Sequence, residues 1–64
     1  MTILEELKKE ITRNEELLEI YREITAGSFG AAFIDLDIRE AKEAIRTNNV
    51  VEIVRTFKRL KENN

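Results

Sequence analysis

Residues able to do chemistry are few in this chain. Among its 64 residues there is no histidine and no cysteine. Imidazole bases, thiolate nucleophiles and the commonest transition-metal ligands are therefore all missing. Ser28 has a hydroxyl but no evident base in its own motif, and a helix-capping role accounts for it. Glu16, Glu19 and Glu23 share one helical face and could gather a divalent cation, yet acidic ridges of this kind are more often simply solvated. Asp35 and Asp37 fall on different sides of a helix and cannot act as a carboxylate pair within one chain. The expectation is a non-enzyme with no catalytic residue, no metal and no cofactor.

Recognition chemistry concentrates in Ala26-Gly27-Ser28-Phe29-Gly30-Ala31-Ala32-Phe33. This stretch holds both glycines and two of the three phenylalanines, in a chain without proline. A Gly-Ser-Phe-Gly turn that opens a helix presents free amides and the positive end of the helix dipole, which suits an anion. It lacks the lysine and spacing of a Walker loop, and it follows a helix where a dinucleotide fingerprint would follow a strand. A phosphate-bearing ligand held there would need arginine forks from Arg22, Arg39, Arg55 or Arg59 of a neighbouring copy. Tyr21, Phe29 and Phe33 would offer it stacking surface. The candidate ligand residues are thus Gly27, Ser28, Phe29, Gly30, Tyr21, Arg22, Arg39, Arg55 and Arg59. The plainer reading assigns the aromatics to core and interface.

Three helices must position these residues, at about 3–25, 28–47 and 50–62. Thr2 with Glu5 forms a capping box at the first. Leu4, Leu7, Ile11, Asn14, Leu18 and Tyr21 then recur at spacings of three and four, a heptad-like seam. Asn14 either fixes register within that seam, caps a second helix after a kink, or faces solvent. A further apolar stripe, Leu17, Ile20 and Ile24, occupies only the later half. Gly27 is expected to be the left-handed residue ending this helix, with Ser28 capping the next. In the second helix Ile34, Ile38, Ala41 and Ile45 form one stripe, and Phe29, Ala32, Phe33 and Leu36 another in its first turns. The rival start at Asp37, with Glu40 completing a capping box, would break the first stripe. Asn49 with Glu52 opens the third helix, whose apolar face reads Val50, Ile53, Val54, Phe57 and Leu60. Short turns make neighbours antiparallel, so the fold class is all-α: a small up-down-up three-helix bundle, or a helical hairpin plus a third helix.

Helix lengths expose a mismatch. At 1.5 Å per residue, about 20 residues of the second helix and about 14 of the third span roughly 30 and 21 Å. The third falls short by roughly 9 Å, six residues of the second. What it leaves bare is the turn at Gly27 with Phe29, Ala32 and Phe33, beside Leu17, Ile20 and Ile24. A core this small rarely supplies more than about 3–5 kcal/mol, and disulfides and metals are absent as staples. Homo-oligomerisation through those six residues is expected to complete the fold, Gly30, Ala31 and Ala32 allowing close backbone approach.

A net charge of −2, from 13 acidic and 11 basic residues interspersed, argues against nucleic acid as a partner, which leaves a nucleic-acid binder using the third helix as the weaker alternative. No apolar run approaches a membrane span, the first six residues lack a basic leader, and the lack of cysteine fits a reducing compartment. A cytoplasmic protein is expected. From Gly27 to Lys61, the strings Gly-Ser-Phe-Gly-Ala-Ala-Phe-Ile, Ala-Lys-Glu-Ala-Ile and Asn-Asn-Val-Val-Glu-Ile-Val-Arg-Thr-Phe-Lys-Arg-Leu-Lys resemble short uncharacterised proteins of bacteriophage accessory regions. That resemblance implies a protein of the host-cell cytoplasm that works by binding, as an antagonist of a host defence. Such antagonists block a host protein or sequester a nucleotide signal. The expected partners are a second copy, a host protein, or a nucleotide-type small molecule.

Overall fold

A computed structural model describes residues 2–64, Thr25 by its backbone alone. It contains α1 (Ile3–Glu23), α2 (Ser28–Arg46) and α3 (Val50–Glu62), with one turn of 3-10 helix at Thr25–Gly27. The fold is the expected all-α bundle, and each helix packs on the other two. Glu15 of α1 meets Lys42 of α2, and Arg55 of α3 meets Glu40 of α2. Near the opposite end Tyr21 lies on Gly30, and Asp37 meets Arg59. The helices therefore run up, down and up.

Local signals account for most helix ends. Thr2 Oγ1 accepts from the Glu5 amide at 3.2 Å, and Asn49 Oδ1 from the Glu52 amide at 3.2 Å, each satisfying a donor the helix cannot. The left-handed residue lies elsewhere than expected. Gly27 has φ −88°, whereas Asn48 has φ 51°. Around Asn48 the Asn49 amide bonds the Ala44 carbonyl at 3.0 Å and the Asn48 amide bonds Ile45 at 3.1 Å, a Schellman ending for α2. Gly27 is required for space: a Cβ there would lie 2.3 Å from the Tyr21 carbonyl oxygen. Nor does Ser28 cap α2, because it is already the first helical residue and Gly27 holds the cap position without a side chain to bond. α2 starts at Ser28, not Asp37, which lies buried in mid-helix.

The seam on α1 turns inward within a single chain. Leu7, Ile11, Asn14 and Leu18 are buried with Ile34, Ile38 and Ala41 of α2 and Ile53 and Leu60 of α3. Each wholly buried leucine contributes roughly 1.5–3 kcal/mol. The buried face of α3 is rotated from the expected one: Thr56 is inside while Val50 and Val54 are outside. Thr56 tolerates burial because its hydroxyl bonds the Glu52 carbonyl at 2.7 Å and the Ile53 carbonyl at 3.2 Å.

A polar clasp joins all three helices. Asn14 is wholly buried in an unbroken α1, so it neither caps a kink nor faces solvent. Its Nδ2 donates to the Glu10 carbonyl at 2.8 Å and the Leu60 carbonyl at 3.1 Å, and its Oδ1 accepts from Asn63 at 3.0 Å. Arg13 donates to the same Leu60 carbonyl at 2.7 Å. Asp37 accepts from Asn63 at 3.1 Å and from Arg59 at 3.4 Å. The Leu60 carbonyl in the last turn of α3, which also accepts from the Asn63 amide at 3.2 Å, is thus tied to α1, and α3 is fixed lengthwise.

Candidate functional site: an uncovered apolar shoulder

Because Asn63 meets Asp37, α3 stops alongside the middle of α2, and Ser28–Leu36 has no third-helix cover. Side chains in and beside that segment are bare: Phe29 is 82% exposed, Phe33 65%, Leu36 50%, Ile20 56% and Ile24 52%. Ala32 is exposed as well, and Leu17 is half-buried against the core. These are the six residues expected at an interface, with Leu36 added. A contiguous apolar patch on a small monomer marks a place where something binds.

Gly30 and Ala31 do not belong to that surface, contrary to expectation. A Cβ on Gly30 would lie 2.5 Å from Tyr21 Cε2, so the missing side chain makes room for the Tyr21 ring within the same subunit. Ala31 is buried in the core. Tyr21 is held further by its hydroxyl, which donates to the Asn64 carbonyl. Its ring is consequently committed to the subunit and only partly available for stacking.

The expected ligand residues are not all brought together. Tyr21, Arg22 and Ser28 line an open hollow of roughly 420 Å³ between the end of α1 and the start of α2, shared with Ile24, Ala31, Ala32 and Asp35. Phe29 projects away from it on the bare shoulder. Each candidate arginine has a carboxylate partner: Arg22 with Glu19 at 3.4 Å, Arg39 with Asp35 at 2.7 Å, and Arg59 with Asp37 at 3.4 Å. Arg55 forks between Glu40 and Glu52, both at 2.9 Å, near the opposite end of the bundle. The hydrogen bonds it donates to those two carboxylates hold its guanidinium even more firmly protonated than usual, and the Glu52 carboxyl is lowered in turn. Compared with family models, with curated proteins and with solved structures, this chain matches none. No helix is long and apolar enough to cross a membrane, and no three acidic side chains converge as a metal site requires, among the described residues.

Sequence reasoning missed the clasp of Asn14, Asp37 and Asn63, since nothing in their spacing says they meet. It also missed the outward turn of Val50 and Val54, which a count of the spacing from Ile53 and Leu60 could have found.

Proposed function

We propose that the protein is a non-enzymatic, homo-oligomeric helical binding protein whose copies meet through the shoulder formed by Leu17, Ile20, Ile24, Phe29, Ala32 and Phe33. The observation that carries this reading is the exposure of Phe29 and Phe33 beyond the end of α3. Burying a large apolar side chain contributes roughly 1.5–3 kcal/mol. Five such residues on each of two copies outweigh an association cost of about 4–15 kcal/mol. The resemblance to phage accessory proteins supplies the wider role, antagonism of a host system through protein–protein contacts in the host cytoplasm. Sedimentation velocity tests the first step. The wild-type chain is expected to self-associate at about 100 µM, and the Phe29→Glu/Phe33→Glu variant to be monomeric with unchanged helical circular dichroism. A wild-type monomer at that concentration overturns the reading.

A second reading has one observation in its favour: the hollow gathers Tyr21, Arg22 and Ser28 at the start of α2. In that reading the oligomer sequesters a phosphate-bearing small molecule such as a cyclic nucleotide. The carboxylates already paired with the arginines compete with such a ligand. A rise in melting temperature with a panel of cyclic nucleotides supports sequestration, and an unmoved melting temperature rejects it.

A further inference from the structure

The bare apolar side chains beyond the end of α3 divide between two sides of the bundle. At about 100° per residue, Phe29, Ala32, Phe33 and Leu36 lie on the side of α2 away from the buried Ile38. Leu17 and Ile20 instead share a flank of α1 with Arg13, all three within about 60°, and Ile24 follows just past the helix. That flank adjoins α3, since Arg13 bonds the Leu60 carbonyl and Tyr21 the Asn64 carbonyl. A single neighbour lying against one side leaves the other bare.

The α1 flank has a counterpart on the same chain. Val50 and Val54 are 64% and 38% exposed and lie on the side of α3 away from Arg55 and Arg59, which pair with α2. They therefore adjoin α1, at the opposite end of the same flank. Their heights correspond as well. α1 and α3 run in one direction, and Asn14 bonds the Leu60 carbonyl. Val54 and Val50 precede Leu60 by six and ten residues, while Ile20 and Ile24 follow Asn14 by six and ten. At 1.5 Å per residue the two apolar pairs stand about 9 and 15 Å to either side of that level.

We propose that the α1–α3 flanks of two copies pack with their ends exchanged, Val50 and Val54 of each covering Leu17, Ile20 and Ile24 of the other. This inference rests on the self-association proposed above and gives one side of the shoulder its cover. A two-fold axis lying across the helices at the Asn14–Leu60 level makes the exchange. It sets α1 over α1 and α3 over α3, ends reversed. The first half of each α3 then lies over the space beyond the other's last turn, which Leu17, Ile20 and Ile24 wall. A left-handed crossing of about 20°, common in helical bundles, turns Val50 and Val54 toward the other copy's α1. Near the axis the ends of the two α3 helices overlap, and Lys58 of each comes level with Glu62 of the other. Neither has an ion-pair partner within its own chain among the described residues. A flank of 36 × 16–19 Å presents roughly 600–700 Å², short of the about 800 Å² per partner of a stable interface. The contact therefore adds to the one through Phe29 and Phe33 and does not replace it. With two such contacts per copy the assembly passes beyond a dimer, and closed forms hold an even number of copies.

Native mass spectrometry at about 100 µM tests the flank contact. The wild type is expected to form an even-numbered assembly larger than a dimer, and Val50→Glu/Val54→Glu a dimer with unchanged helical circular dichroism. Phe29→Glu/Phe33→Glu leaves only the flank contact and is monomeric, as above. A chemical arm reads the register. The chain has no cysteine of its own, so Ile20→Cys mixed with Val54→Cys is expected to form a disulfide-linked pair under mild oxidation, and neither alone. Like residues of the two copies stand about 18 Å apart across the axis, too far for a disulfide. A wild type that stops at a dimer, Val50→Glu/Val54→Glu that assembles like wild type, or Ile20→Cys that links to itself overturns the contact. If Phe29→Glu/Phe33→Glu dissociates the protein in those same cases, self-association stands and only the flank contact falls. A monomeric wild type removes both.

Discussion

Replacing Asn14 with aspartate tests the clasp at nearly constant shape. In the folded chain the Asn14 amide nitrogen sits 2.8 Å from the Glu10 carbonyl oxygen and 3.1 Å from that of Leu60. The substitution puts a carboxylate oxygen where that donor was, with no cavity and no added volume. Arg13 is already bonded to Leu60 and Glu10, so the new charge is buried without a partner. Such a charge costs about 3–5 kcal/mol, against a total stability on the order of 5 kcal/mol for a chain this small. The Asn14→Asp variant is expected to be at least about 3 kcal/mol less stable near pH 7, which leaves about 2 kcal/mol or less of the total. The sign with pH follows directly. The folded state disfavours the charged form, so the introduced carboxyl titrates above its unfolded value of about 3.9. The deficit is full above the raised value and shrinks as pH falls through it. Asn14→Leu is the control, because every partner keeps another bond. The Leu60 carbonyl still accepts from Arg13 at 2.7 Å and from the Asn63 amide at 3.2 Å, and Asn63 Nδ2 still donates to Asp37 at 3.1 Å. Leucine is therefore expected to cost about 1.5 kcal/mol or less. Urea denaturation followed by far-ultraviolet circular dichroism at a fixed protein concentration, at about pH 7 and about pH 4.5, measures both variants against wild type. If aspartate costs no more than leucine near pH 7, the clasp is not the dry, fully bonded site described above.

Gly30→Ala is expected to destabilise by about 1–2 kcal/mol, since overpacking against Tyr21 exceeds the helix-propensity gain. In a Tyr21→Ala background the same change is expected to stabilise by about 0.5–1 kcal/mol, and equal effects in the two backgrounds would refute the steric account. Asn48→Gly is expected to be neutral or slightly stabilising and Asn48→Val to cost about 1–2 kcal/mol by thermal melting, because the site is left-handed. Hydrogen bonds from Arg46 and Arg55 lower the Glu43 and Glu52 carboxyls below the ordinary 4.5. Their contribution is full above that value and lost as pH falls through the depressed ones, so Glu43→Gln/Glu52→Gln is expected to flatten the acid limb of the stability curve.

Much of the fold is legible in the sequence because it is written in local rules. The caps at Thr2 and Asn49, the long stripe on α2 and the shortness of α3 each follow from spacing, and together they place Phe29 and Phe33 outside. What is not legible depends on meetings between helices. The hydroxyl of Thr56 makes burial tolerable only through carbonyls of its own helix, so an apolar count alone turns α3 the wrong way. Gly30 reads as room for a neighbour and proves to be room for Tyr21 of the same chain. Gly27 was expected to take the left-handed conformation, yet asparagine does so at Asn48 while Gly27 answers to the nearby Tyr21 carbonyl. Two of the four arginines offered to a phosphate, Arg59 and Arg55, are paired across helices with Asp37 and Glu40, pairings that no single helix reveals.

Anchoring Leu60 from α1 and Asn63 from α2 turns the end of α3 into a measured stop. Sliding α3 one turn toward Gly27 would shield Phe33, but it would carry the Leu60 carbonyl about 5 Å from Arg13 and Asn14 and strand their donors. The molecule therefore cannot close over its own greasy crown by a small repacking, and the vacancy it leaves has a definite height that any visitor must match.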